Sequence, residues 1–134
     1  MKTPLLLLLS IFTFSSCQPQ LGDVLKIVYG GSQEIASQGL KMTFAEIADS
    51  RCPIGVECIV QGEAKVSLTV EKGGNSQTLE LSAQGLCEDE TGACGSQAEA
   101  MGYRFKLLYV APHPKKDVTI AKEDYMLTLI VEAV

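Results

Sequence analysis

The 134-residue chain carries 11 basic and 16 acidic residues, a net charge of −5 with its one histidine neutral. One domain is the expectation at this length. The acidic balance argues against a nucleic-acid or anionic-lipid partner held by electrostatics.

Residues 1–16 read as a leader. Lys2 supplies a positive start, and Leu5 to Leu9 with Ile11, Phe12 and Phe14 form an apolar run too short to span a bilayer. Ser15-Ser16 followed by Cys17 resembles the lipobox of bacterial lipoproteins, with Phe14 where leucine is usual. The resemblance implies cleavage before Cys17 and lipidation of that residue. An ordinary secretory signal cleaved nearby is the alternative. Residues 17–22 would then be the lipidated cysteine and a short polar tether, and residues 23–134 a single β-domain. Each buried acyl CH₂ adds about 0.8 kcal/mol of membrane affinity. The expected site is the bacterial cell envelope, at the outer membrane, with the membrane contacted through the lipid. Without Lys2 the chain has ten basic against sixteen acidic residues, a net charge of −6.

Assigning Cys17 to lipid leaves four cysteines, in two local pairs: Cys52 with Cys58, and Cys87 with Cys94. Four cysteines allow three connectivities, and sequence does not choose among them. Two local disulfides, Cys52–Cys58 and Cys87–Cys94, are favoured because each lies within one loop and an exported chain meets oxidising conditions. Zinc competes less well, since it prefers two to four residues between paired cysteines. No metal and no cofactor is expected.

Residues 23–29 show a strand pattern, with Leu25, Ile27 and Tyr29 on one face. Gly30-Gly31-Ser32 ends it. In residues 40–49, Leu40, Met42 and Phe44 alternate before Ile47 shifts the phase, which predicts a strand with a bulge between Phe44 and Ile47. A short helix is the rival, because Thr43 to Glu46 fits a capping box. Ala64, Val66, Leu68 and Val70 alternate with polar residues, the turn Lys72 to Ser76 follows, and Leu79, Leu81 and Ala83 return. This is an antiparallel hairpin with one wet face. Residues 84–100 read as a long loop, pinned by Cys87 and Cys94 if they pair. Residues 103–110 predict a strand stopped by Pro112-His113-Pro114. Val118 to Ile120 suggest a short strand, and Met126 to Val134 a buried central one. Asp124-Tyr125 resembles the tyrosine corner of Greek-key sandwiches. About seven short strands without a long helix predict an all-β fold, an antiparallel β-sandwich or flattened barrel.

Asp49-Ser50-Arg51-Cys52-Pro53, Gly55-Val56, Cys58 and Gly62-Glu63-Ala64 resemble a motif of small bacterial secreted proteins and lipoproteins. The likeness covers roughly residues 40–70, and the layout from Tyr103 to Tyr125 is similar. Where that pattern follows the second cysteine with a Val-Trp pair, this chain has Ile59 and Val60. The resemblance implies an envelope β-domain with a disulfide loop, and implies no reaction.

The candidate interaction loop comprises Asp49, Arg51, Pro53, Ile54 and Val56. Asp49 and Arg51 could form a recognition surface; the structural reading has Asp49 capping the turn and Arg51 bridging to a carboxylate. Ile54 and Val56 could enter a partner's groove or fold back onto the sheet edge. Glu88, Asp89 and Glu90 read as a solvated acidic run rather than a calcium site. His113, between two prolines in an expected exposed turn, lacks a Gly-x-Ser-x-Gly elbow that would make it part of a triad. No residue is read as catalytic, and no phosphate-cradling loop appears. The expected function is a non-enzymatic envelope lipoprotein domain, structural or bound to an envelope protein. The alternative is a protease-inhibitor-like or docking module acting through the 52–58 loop.

Overall fold

A computed structural model describes residues 17–85 and 95–134. The leader and the acidic run Glu88 to Glu90 lie outside the described residues. So do Cys87 and Cys94, and the second disulfide expected between them lies outside as well. Eight strands are present among the described residues: β1 (Val24–Val28), β2 (Ser32–Ile35), β3 (Leu40–Asp49), β4 (Glu63–Lys72), β5 (Asn75–Gln84), β6 (Gln97–Ala100), β7 (Tyr103–Ala111) and β8 (Met126–Ala133). They form two antiparallel four-stranded sheets, ordered β1-β8-β7-β6 and β2-β3-β4-β5. The architecture is an open sandwich and not a closed barrel.

The alternation in the sequence sets which face goes inward. Met42, Phe44, Leu68, Leu81, Phe105 and Leu129 are fully buried, and one cluster of such residues joins the two sheets. The phase shift before Ile47 is a register shift between Phe44 and Glu46 against β4. It lets Ile47 rejoin the buried face, so the helical alternative does not hold. β8 is the central strand expected, paired with β1 on one side and β7 on the other.

Three expectations are corrected. The stretch 84–100 is not all loop, because Gln97–Ala100 pairs with β7. Ser32–Ile35 is an edge strand that sequence reading passes over, since Ile35 is its one buried residue and a single apolar side chain shows no period. Residues 118–120 are not a strand; Val118 N–H closes a turn on the Lys115 carbonyl, and Val118 is exposed.

The sandwich has two ends with different contents. At one, Cys17, Gln18 and Pro19 lie against the start of β1. The β4–β5 and β6–β7 turns share this end, where Lys72 Nζ donates to the Tyr103 hydroxyl at 3.1 Å. The Gly22 N–H donates to Val131 O at 2.8 Å, which pins the chain five residues after Cys17. At the other end lie Asp49, the 50–62 connection and the segment between β7 and β8. Ten-residue strands such as β4 rise about 3.3 Å per residue, which separates the two poles by roughly 30 Å.

Candidate functional site

The second pole is built around the clip that Cys52 and Cys58 close as a disulfide, with Cα atoms 5.9 Å apart. Of the two disulfides expected, this is the one among the described residues; Cys87 and Cys94 lie outside them. In a loop as short as the clip the bond contributes roughly 2 kcal/mol on a chain-entropy account. A buried strut stands beneath it. Arg51 Nε donates to Asp49 Oδ1 at 2.8 Å and Nη2 donates to Oδ2 at 2.9 Å, a two-pronged pair. The same guanidinium donates across to the other sheet, from Nη1 to Val110 O at 2.8 Å and from Nη2 to Pro112 O at 3.0 Å. Arg51 is 4% exposed, so these bonds act in a low dielectric and their donors have no water as a substitute. The planar fork of arginine suits a carboxylate on one edge and carbonyls on the other. Asp49 also caps its own turn, accepting from Arg51 N at 3.2 Å.

Tyr125, just before β8, completes the strut by donating its hydroxyl to Asp49 Oδ2 at 2.9 Å. A tyrosine corner would bond backbone instead, so that resemblance is corrected: the acceptor is a carboxylate. Burial pushes the Asp49 carboxyl upward, but the Arg51 guanidinium and the Tyr125 hydroxyl outweigh it and hold it below its usual 3.8. Burial, with the bond to Asp49, pushes the Tyr125 phenol up to about 12.

The linkage has a definite sign. A carboxyl depressed in the folded state stabilises the fold fully above pH 3.8, and that stability is lost as pH falls through the lower folded value. Tyr125→Phe removes one of the bonds that depress Asp49. Its expected effect is a loss of about 1 kcal/mol at neutral pH, with a smaller further loss on acidification below pH 3.8. Urea midpoints measured from pH 7 downward check this, and identical pH profiles for the two proteins would contradict it.

The clip is fastened above the strut as well. Ile54 N–H donates to Pro114 O and Lys116 N–H to Ile54 O, both at 2.9 Å. His113 Nε2 lies 2.9 Å from Cys52 O; a carbonyl only accepts, so Nε2 carries the proton. His113 is therefore half-buried and engaged with the clip, not placed in an exposed turn. Gly62 closes the connection with φ +69°, and a Cβ there would sit 1.9 Å from Ser50 O.

The residues singled out in the sequence thus separate into two groups. Asp49 and Arg51 are interior struts, which supports their structural reading and removes them from any recognition surface. Pro53 is half-buried, whereas Ile54 and Val56 are 40% and 42% exposed. Their backbone is docked and their side chains reach solvent, so neither outward insertion nor folding back describes them fully. Sequence reasoning misses the most exposed pair, Ile59 at 105% and Val60 at 74%. The available signal is two β-branched residues between Cys58 and Gln61-Gly62, in a stretch with no alternation to bury them. No group of three or more metal-ligating side chains occurs among the described residues.

No known family, curated protein or solved structure matches the chain.

Proposed function

We propose that the protein is an envelope-anchored interaction module, held at one pole through a lipid on Cys17 and presenting the clip at the other. The observation that carries this reading is the placement of Cys17 and the clip at opposite ends of the sandwich. Five residues separate Cys17 from the pinned Gly22, and at about 3.5 Å each they reach at most roughly 17 Å. That leash is too short to turn the body end over end on the membrane that holds it. The exposed aliphatic side chains of the clip then face away from that membrane. A rigid loop with exposed apolar side chains keeps the ordering cost of binding low, which favours the interaction role over a purely structural one.

Cys17→Ala is expected to move the protein from the membrane to the soluble fraction when cells are fractionated, with loss of the lipid mass. A variant that stays membrane-bound without lipid would remove the anchor from this reading.

A further inference from the structure

Three of the four sheet edges are short: β1 has five residues, and β2 and β6 have four each. The fourth, β5, has ten. Proteins usually blunt such an edge with proline, lysine or a bulge, because its free N–H and C=O groups template another strand. β5 carries none of these. Glu80 is its one charge, and its register against β4 is unbroken from end to end.

The chain itself starts to use this edge and then leaves it. Ser82 N–H donates to Ser96 Oγ and Ser96 N–H donates to Ser82 O, both at 2.8 Å, and Gly95 bridges antiparallel to Ala83. Ser96 O then turns to the other sheet, accepting from Leu107 N–H at 3.0 Å, and β6 pairs with β7. In an antiparallel strand the backbone groups of every second residue point the same way. Ser82 points its N–H and C=O away from β4, so Glu80, Thr78 and Ser76 do the same. All three are exposed, and these outward groups meet no partner among the described residues. At the end of the run an open recess of about 340 Å³ lies between the start of β5 and the β6–β7 turn, lined by Lys72, Asn75 and Met101. We propose that this edge takes an extended peptide segment of a partner protein as an added antiparallel strand. A basic side chain of the segment lies opposite Glu80, and an aliphatic one, five residues later, enters the recess beside Met101.

The edge itself specifies the class of occupant. Outward N–H and C=O groups repeating every 7 Å or so, along roughly 20 Å of strand, are matched by another extended backbone. Gly95 and Ser96 set its direction, since the added strand runs on from where they depart. Lys65, two residues along β4 from the residue opposite Glu80, bridges to Glu63 at 3.4 Å, which leaves Glu80 for a cation from outside. The net charge of −5 favours a basic segment as well. Residues an odd number apart on a strand face opposite sides. The basic residue therefore meets Glu80 on the wet face, and the one across from Asn75 turns inward to the recess, where methionine adapts its shape to an aliphatic guest. β5 runs along the flank between the two poles, so an added strand leaves both the Cys17 end and the clip as they are. The inference depends on neither the lipid nor the role given to the clip.

The test is amide NMR of the chain from Gln18 onward, which contains all eight strands and the whole core. The probe is a blocked heptapeptide with lysine second, leucine last, and valine and threonine alternating elsewhere. The expected result is saturable binding at about millimolar probe. Exchange of the Ser76, Thr78 and Glu80 amides should slow about tenfold, while those of Gln77 and Leu79, which face β4, change little. Thr78→Pro removes the central outward N–H at a position where an edge strand tolerates proline, and should abolish binding with the thermal midpoint unchanged. If the midpoint falls, the probe methylated at the amide nitrogens facing β5 carries the same test on the unaltered chain, and it should not bind. Glu80→Lys should weaken the probe severalfold, the range of an exposed ion pair, and a probe with glutamate in place of lysine should recover the loss. No binding at millimolar probe would overturn the proposal, as would equal binding of the methylated probe. Shifts centred on Ile59 and Val60 would overturn it too. Protection of the same amides that grows with protein concentration alone would overturn it in favour of a second copy.

Discussion

Arg51→Ala is expected to lower the unfolding free energy by about 3–5 kcal/mol, the usual loss when one partner of a buried ion pair is removed. The magnitude follows from what stays behind. Asp49 keeps a buried carboxylate with only the Tyr125 hydroxyl and a backbone N–H, and the buried Val110 O loses its guanidinium donor, while Pro112 O, on an exposed residue, can turn to water. Each unsatisfied buried group costs on the order of 1–3 kcal/mol. Arg51→Lys should recover little, since an ammonium cannot span the carboxylate and both carbonyls. Urea denaturation at neutral pH measures the difference. A loss below about 1 kcal/mol, the range of an exposed pair, would show that the strut does not hold the sheets together.

Gly62→Ala has the second large effect, about 3 kcal/mol, from two causes. Its left-handed backbone costs an L-residue roughly 1–2 kcal/mol. The new Cβ would also meet Ser50 O at 1.9 Å, and a backbone oxygen moves only with its chain, here held by the bond from Ser50 N to Glu63 O, so overpacking adds roughly 1–3 kcal/mol. Gly73→Ala is the matched control. It too has a positive φ, +56°, but nothing lies within 4 Å of its Cβ position, so only the backbone cost remains. Equal thermal shifts for the two substitutions would show that the contact with Ser50 does not matter.

The two strands of the hairpin at 63–84 are legible in the sequence because one face is wet and one dry, which is the condition under which alternation appears. The bulge after Phe44 is legible for the same reason: a one-residue slip would turn Ile47 to solvent. Edge strands β2 and β6 are not, because each buries one side chain, Ile35 and Ala100, and takes its place from backbone pairing. Cysteine spacing is enough for the clip, where Cys52 and Cys58 do bond; the same spacing argument for Cys87 and Cys94 concerns residues outside those described. The strut is half legible. Local spacing suggests that Asp49 caps its turn and that Arg51 meets a carboxylate. The contacts to Val110 and Pro112 lie 59 and 61 residues away and leave no local pattern. Tyr125 stands out by its position before β8, but its partner is 76 residues distant and leaves no mark beside it. Ile59 and Val60 escape a sequence reading because hydrophobic residues are ordinarily assigned to a core, and only the pinned geometry of the clip shows that these two have none to enter.

The central claim is polarity: one end of the sandwich held at a membrane, the clip at the other. The direct measurement is energy transfer from a fluorophore on the protein to an acceptor in the lipid headgroups, with the lipidated protein in vesicles. The dye is placed either at Val60 or at Asn75, the first residue of β5, beside the turn at the Cys17 end. The account predicts strong transfer from position 75 and weak transfer from position 60, the two lying roughly 30 Å apart along the strand direction. Equal transfer from the two sites, or stronger transfer from position 60, would contradict it.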